Sequence, residues 1–290
     1  MLHKLIKYQK KRFPIFILLL SLIPATLSSY AVSSNNFNLS LAMGALLISI
    51  LYLLHIRLID ERRDFLHDSK YHKDRPIQRG IISNSELKVV DFVATLLVIL
   101  LTVLINIHAL PFLITLLVYS YFAEKEFFLK KMRQYFILYN SLNIVQMFLL
   151  QILIYNVISA HIQLNQLIIF HFIFTCLGTI IFEFLRKTNA AGTDGLGKDT
   201  YSYHLGLENS ITIYFVMLVL NFFTFIALVF FTQVSLNKIF LVPVVLFIIS
   251  ILSAFYFLSI RDNKAQLLTQ LSFICMYSVL NYYIFMLLIL

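Results

Sequence analysis

Residues 38–80 read NLSLAMGALLISILYLLHIRLIDERRDFLHDSKYHKDRPIQRG. An apolar run passes directly into a stretch dense in charge, in which Asp60, Glu61, Asp64 and Asp68 fall within nine residues. A run of about 20 apolar residues crosses a bilayer core of about 30 Å as a helix. Charge that begins where such a run stops marks the boundary between lipid and water. The stretch therefore predicts a membrane-spanning helix that ends in a charged cap.

The first half of that pattern recurs along the chain. Hydrophobic residues occupy 60% of the 290 positions, charged ones 13%, and the mean hydropathy is +0.86. Such values exclude an ordinary soluble domain. Apolar windows recur nine times, at 14–34, 38–59, 88–108, 110–123, 136–158, 164–185, 209–232, 237–260 and 267–290. No segment shows the apolar–polar alternation over about ten positions that a membrane barrel strand needs. The expected fold is all-α, a polytopic bundle of nine transmembrane helices forming one domain over residues 1–290.

Basic residues orient the bundle, because short cytoplasmic loops carry the excess of Lys and Arg. With the N-terminus inside, five fall in residues 1–13, eight from Arg57 to Lys88, four from Lys125 to Arg133, three between Arg186 and Lys198, and two at Arg261 and Lys264. Lys238 alone lies on the other side. Nine spans then leave the C-terminus outside, with the charged loops cytoplasmic and a bacterial inner membrane as the expected location. MLHKLIKYQKKRF reads as a set of inside anchors, and the run that follows is long enough to span rather than to be a cleaved signal. Cys176 and Cys275 lie inside apolar spans and read as packing residues. Nothing points to a nucleic-acid partner.

Asp60, Asp64 and Asp68 repeat every four residues, which on a continuous helix forms a stripe about 12 Å long. Like charges at this spacing destabilise an isolated helix, so a counter-cation is expected. Arg57, Arg62, Arg63 and Lys70 could supply it as ion pairs on a solvated helix end. The other candidate is Mg²⁺, which takes oxygen ligands and is commonly held by one or two carboxylates together with substrate phosphates. KYHKDRPIQRG then adds Arg75 and Arg79, whose guanidinium groups suit phosphate oxygens.

The run DERRDFLHDSKYHKDRPIQRG resembles the first aspartate-rich motif of the UbiA superfamily of intramembrane prenyltransferases. Asp60, Asp64 and Asp68 match its carboxylates, and Arg75, Pro76, Ile77, Arg79 and Gly80 match the Arg-Pro segment that follows. Nine helices with the motif after the second also agree with that family. The resemblance implies a central apolar pocket opening at the cytoplasmic face, with an isoprenoid diphosphate as ligand and Mg²⁺ as cofactor.

The family carries a second such motif after its sixth helix, where this chain has FEFLRKTNAAGTDGLGKDTYSYHLG, residues 182–206. Glu183 stands for the first carboxylate. Arg186 and Lys187 occupy places where further carboxylates are expected, and Asp194 and Asp199 follow only after a Gly-containing insertion. Either Asp194 or Asp199 folds back to join Glu183 on metal, or Arg186 and Lys187 bind diphosphate directly and replace one cation. A solvated loop is the plain alternative for Asp194 and Asp199. In the loop after the fourth span, the resemblance carries diphosphate binding to Lys125, while Lys130, Lys131 and Arg133 are explained by topology alone.

Inside the spans, Asn143 and Gln146 could contact an acceptor or steer a carbocation, and interhelical hydrogen bonding explains them equally well. His171 and Asp91 read as partnered structural residues. The implied activity is ionisation of an allylic diphosphate and transfer of the prenyl group to an aromatic or lipid acceptor. Asp60, Asp64, Asp68 and Glu183 are the expected catalytic and metal residues, with Asp194 and Asp199 as further metal candidates. Arg75, Arg79, Lys125, Arg186 and Lys187 are the expected diphosphate-binding set. A terpene cyclase of the same superfamily is the alternative, and a noncatalytic lipid-binding protein or transporter is a second. Against a transporter stand the scarcity of Gly and Pro in the spans and the gathering of charge on one face.

Overall fold

The structure is a computed structural model that describes residues 2–34, 36–129, 132–160, 162–190, 197–232 and 240–289. Twelve α-helices account for most of it: α1 (Leu2–Arg12), α2 (Ile15–Ser33), α3 (Leu39–Arg63), α4 (Phe65–Tyr71), α5 (Asn84–Ile105), α6 (Leu110–Glu124), α7 (Phe136–Ile158), α8 (Gln166–Arg186), α9 (Tyr201–Leu205), α10 (Leu207–Phe231), α11 (Leu241–Ile260) and α12 (Asn263–Ile289). Among the described residues there is no β-strand, and nine helices are long and apolar enough to cross a membrane. The chain is an all-α integral membrane protein. Each of the nine apolar windows has its helix. The shortest, 110–123, gains length from a 3-10 turn at Ile107–Ala109 that precedes α6.

Helix starts follow local chemistry. Asn38 caps α3 through Leu41 N at 3.1 Å, and Asn165 caps α8 through Ile168 N at 2.9 Å. Ser83 and Glu86 form a reciprocal capping box on α5, with Glu86 N donating to Ser83 Oγ at 3.2 Å and Ser83 N to Glu86 Oε2 at 2.8 Å. These side chains satisfy amide groups that the first helical turn leaves without partners.

Two compact units are distinguishable, one comprising Met1–Leu19 and Asn38–Ile162, the other Leu20–Phe37 and Gln163–Leu290. In the first, α3 packs against α5, α6 and α7. Lipid chains are as apolar as leucine, so association inside a bilayer depends on close packing and on polar ties. Tyr52 Oη lies 2.6 Å from Ser120 Oγ, linking α3 to α6. His55 Nδ1 meets Asp91 Oδ1 at 2.6 Å, Arg62 meets the other Asp91 oxygen at 2.7 Å, and Arg62 Nε donates to Glu124 at 2.9 Å. Asp91 is thus the partnered structural residue expected of it.

The basic N-terminus is more than an anchor, for it folds as a helix of its own. Tyr8, 2% exposed, packs with Leu58, Ile77, Ile82 and Leu87. Lys4 pairs with Glu86 at 2.8 Å and Arg12 with Glu61 at 2.7 Å, while Lys7, Lys10 and Lys11 face outward.

In the second unit α8 packs against α10 and α12, and α11 against α12. Gly178 of α8 lies under Tyr277, whose ring would collide with any Cβ there. That ring stacks with Phe174 at 5.3 Å and Phe273 at 5.8 Å between centroids. His171 Nε2 lies 2.9 Å from Ser28 Oγ, which donates to Asn281 Oδ1 at 2.5 Å. His171 therefore also has the structural partner expected of it.

Candidate functional site

α3 is not continuous through the aspartates. It stops at Arg63, Asp64 adopts φ −88° and ψ 1°, and α4 starts at Phe65. Asp64 N still donates to Asp60 O at 2.9 Å, and Asp68 N to Asp64 O at 2.8 Å, so one-turn spacing survives the break. The expected unbroken stripe becomes two helical segments jointed at its middle carboxylate. Among the described residues, Asp60, Asp64 and Asp68 do not form a trio with ligand atoms all within 4.8 Å.

Guanidinium groups occupy the spaces between them. Arg63 donates to Asp60 Oδ1 at 2.6 Å, to Asp64 Oδ1 at 3.1 Å, and to Asn143 Oδ1 of α7 at 2.7 Å. Arg133 pairs with Asp64 Oδ1, and Tyr139 Oη donates to the same oxygen at 3.2 Å. Asp68, 1% exposed, pairs with Arg75. Glu61, also 1% exposed, accepts from Arg12 Nε and from Arg57, each at 2.7 Å. Arg62, one position from Arg63, emerges on another face and serves Asp91 and Glu124 instead.

These surroundings set the acidities. Burial works to raise the Asp64 pKa, but the Arg63 and Arg133 charges, with hydrogen bonds from Arg63 and Tyr139, hold it down to about 2. Asp68 goes the other way: its burial, with Asp64 and Glu61 adding, outweighs Arg75 and raises it above the usual carboxylate value. Arg133 is raised, since its burial is outweighed by Asp64, Tyr139 and Glu126.

Not every oxygen is consumed. Every contact of Asp60 and Asp64 falls on Oδ1, so among the described residues Oδ2 of each has no partner. Their side chains are 27% and 25% exposed. Two accessible carboxylate oxygens are a donor set that Mg²⁺ accepts, with water or phosphate completing its shell. Glu61 and Asp68 are buried against arginines and do not share that accessibility.

The Arg-Pro segment is a pinned turn. Arg79 N donates to Arg75 O at 3.0 Å, Ile81 N to Pro76 O at 2.9 Å, and Gly80 takes φ +69°, in the left-handed region that favours glycine. Arg79 is exposed, and Lys125 is exposed at the end of α6, over the Tyr121 ring at 6.0 Å. The loop after α6 places Glu126, Phe127 and Phe128 in succession at φ 49°, 53° and 56°, a conformation that costs L-residues about 1–2 kcal/mol each. Glu126 accepts from Arg133 Nε at 2.7 Å, so the strained turn and the Asp64 pair share one guanidinium. On α7, Asn143 serves Arg63, and Gln146 is 1% exposed with its Oε1 buried and unpartnered.

In the second unit, Glu183 sits in the last turn of α8. Arg186 donates to both its oxygens, Nε to Oε2 at 2.9 Å and a terminal nitrogen to Oε1 at 2.7 Å, and Lys187 Nζ lies 3.0 Å from Oε1. Lys187 O accepts from Tyr201 N at 2.7 Å, and Tyr201 stacks on Phe184 at 4.2 Å, fastening the segment to α9. Asp199 is half-buried just before Thr200, which caps α9, and Asp194 lies outside the described residues. Among the described residues, Glu183 and Asp199 belong to no common group of three ligand atoms within 4.8 Å.

Several of these contacts escaped the sequence reading, among them Arg133 and Tyr139 on Asp64, Arg12 on Glu61, Arg63 on Asn143 and Arg75 on Asp68. Tyr139 lies four residues before Asn143 and shares its helix face, but its partner, like those of Arg133 and Arg12, is far away in the chain.

Comparison with known proteins bears on the family and the fold. A family model described as the UbiA prenyltransferase family matches residues 21–278. Among solved structures, a digeranylgeranylglyceryl phosphate synthase superposes with a TM-score of 0.62 at 16% identity, covering 97% of this chain and 98% of that one. An apo UbiA homologue from Aeropyrum pernix K1 gives 0.62 at 14% identity over 89% and 94%. A UbiA homologue from Archaeoglobus fulgidus, bound to DMAPP and Mg²⁺, gives 0.61 at 13% identity over 97% and 99%. No curated protein sequence matches the chain.

Proposed function

The chain belongs to the UbiA prenyltransferase family, and from that premise we propose that it is a Mg²⁺-dependent enzyme that transfers the prenyl group of an allylic isoprenoid diphosphate to an aromatic or lipid acceptor. The observation that carries this reading is the end of α3, where Asp60 and Asp64 each keep one accessible oxygen beside Arg63 and Arg133. The solved relative bound to DMAPP and Mg²⁺ supports it by analogy.

Magnesium held by Asp60 and Asp64 would neutralise charge on the departing diphosphate. Arg63 fixes both carboxylates through Oδ1, leaving the other oxygen of each to a cation, and Asn143 steadies Arg63. Arg133 and Arg75 place positive charge where negative charge develops, and exposed Arg79 and Lys125 add to the attracting potential. The allylic C–O bond breaks with its electron pair leaving on diphosphate. An electron pair of the acceptor forms the new bond to that carbon, and the acceptor then loses a proton. The charged loops and the N-terminus face the cytoplasm in this reading, the C-terminus lies outside, and one domain spans residues 1–290.

The test is incubation of detergent-purified protein with farnesyl or geranylgeranyl diphosphate and Mg²⁺, with and without aromatic or lipid acceptors, against Asp64→Ala. Prenylated acceptor made only by the wild type supports the reading. Cyclic hydrocarbon made without acceptor replaces it with a cyclase, and no Mg²⁺-dependent turnover across the panel refutes both.

A further inference from the structure

We propose that the outer face of α1 binds anionic phospholipid headgroups of the bilayer in which the protein sits, through Lys7, Lys10 and Lys11. The inference goes beyond the prenyl-transfer reading and does not rest on it.

The helix divides its side chains by face. Tyr8 packs with Leu58 and Leu87, Leu5 lies against the same cluster, and Arg12 reaches Glu61 at 2.7 Å. His3, Lys7, Lys10 and Lys11 are exposed, at the three- and four-residue spacing that sets helical neighbours side by side. Like charges so placed destabilise an isolated helix. The helix dipole compensates Lys10 and Lys11 in the last turn but not Lys7. None of residues 1–59 is acidic, and the two carboxylates that reach α1 are already used: Glu61 by Arg12 and Arg57, Glu86 by Lys4 at 2.8 Å. Among the described residues, Lys7, Lys10 and Lys11 have no ion partner.

Position selects the counter-charge. Leu58 and Glu61 belong to the last turns of α3, and Glu86 and Leu87 to the first turn of α5, so α1 is held where two membrane-spanning helices pass between apolar and charged sequence. Only Phe13 and Pro14 separate α1 from α2, which is itself long and apolar enough to cross a membrane. At that boundary anionic headgroups attract Lys and Arg, and lysine stems lie along apolar surface while their ammonium groups stay in the polar layer. Ile6, 45% exposed and one turn before Lys10, adds the apolar contact that an interfacial helix makes with the acyl boundary. Single-stranded nucleic acid calls for an exposed aromatic ring on which bases stack. The one Tyr, Phe or Trp of α1 is Tyr8, which is buried.

Native mass spectrometry of the full-length protein in neutral detergent tests the assignment by titration with dioctanoyl phosphatidylglycerol or dioctanoyl phosphatidylcholine. A lysine near an anionic surface is worth about fivefold in affinity, and three about 10²-fold. Wild type should therefore bind phosphatidylglycerol at least about tenfold more tightly than phosphatidylcholine. Lys7→Gln, Lys10→Gln and Lys11→Gln together should weaken phosphatidylglycerol binding at least about tenfold, and arginine at the same three positions should retain it. Lys73→Gln, Lys88→Gln and Lys264→Gln together, three exposed lysines outside α1, should change it less than about threefold. A smaller loss in the α1 glutamine variant, an equal loss in both glutamine variants, or a loss that arginine fails to restore overturns the inference. Equal wild-type affinity for the two lipids overturns it as well. Displacement of phosphatidylglycerol by an equal concentration of inorganic phosphate or of an RNA oligonucleotide overturns the lipid assignment in favour of that anion.

Discussion

Glu61→Gln, combined with Arg12→Gln, tests whether the N-terminal helix is locked by charge. The Glu61 side chain is wholly inaccessible, and its two partners, Arg12 and Arg57, are 19% and 17% exposed. At a charge separation of about 4 Å and an effective dielectric of about 20, each pair attracts by about 4 kcal/mol before desolvation is subtracted. Removing one member of a buried pair costs about 3–5 kcal/mol. Glutamine keeps one acceptor oxygen, so Glu61→Gln should cost about 3 kcal/mol, at the lower end of that range. Arg12→Gln leaves Glu61 its Arg57 partner and should cost about 2 kcal/mol. If nearly all of the Arg12 contribution runs through Glu61, the double variant loses about 3 rather than about 5 kcal/mol, a coupling of about 2 kcal/mol. That coupling is roughly a thirtyfold factor in the unfolding equilibrium. Equilibrium unfolding in mixed micelles, followed by circular dichroism, supplies all four corners of the cycle. Losses that add within about 0.5 kcal/mol would refute the lock.

Arg133→Gln should lower kcat about 10²-fold or more, the scale of losing one charge-stabilising donor, whereas Lys125→Ala should change it less than about threefold because Lys125 is solvent-exposed at the end of α6; steady-state kinetics that reverse this order would move the diphosphate to the Lys125 side. Asp64 has a folded pKa near 2, below its ordinary 3.8, so its contribution to stability is full above that ordinary value and is lost as pH falls through 3.8 towards 2. The stability gap between wild type and Asp64→Asn should therefore narrow from about pH 5 to about pH 2 in acid unfolding curves, and a gap independent of pH would show that the carboxylate charge contributes nothing. Gly178→Ala should destabilise by about 1–3 kcal/mol, because Tyr277 is held between Phe174 and Phe273 and has little room to retreat; an unchanged melting temperature would mean that α8 and α12 separate freely.

The nine spans were legible because the bilayer imposes a length and a polarity that composition cannot hide, and the boundary at Asp60 showed as an abrupt rise in charge. The break at Asp64 was not legible, since Arg63, Asp64 and Phe65 are each compatible with a helix and only the tertiary pull of Arg133 and Tyr139 distinguishes the position. Asp60, Asp64 and Asp68 could be picked out by spacing, while their division into two accessible carboxylates and one buried against Arg75 depends on packing. Arg133 read as one more inside cation because the positive-inside pattern makes a loop arginine uninformative by itself. Glu183 read as a metal carboxylate, although its spacing of three and four residues from Arg186 and Lys187 on one helix already allowed the ion pairs that the structure shows.

The docking of α1 also sets an order of events during synthesis. Lys4 and its partner Glu86 are 82 residues apart, and Tyr8 has Leu87 among its neighbours. At about 5–20 residues per second, the N-terminal helix waits roughly 4–16 s after its own translation before its whole seat exists. Until Leu58 and Glu61 are made, Tyr8 and Arg12 lack these partners, and Lys4 waits longer still for Glu86, while anionic headgroups at a membrane surface attract Lys and Arg. α1 is therefore fastened to its full seat only after α3, α4 and the start of α5 have followed it.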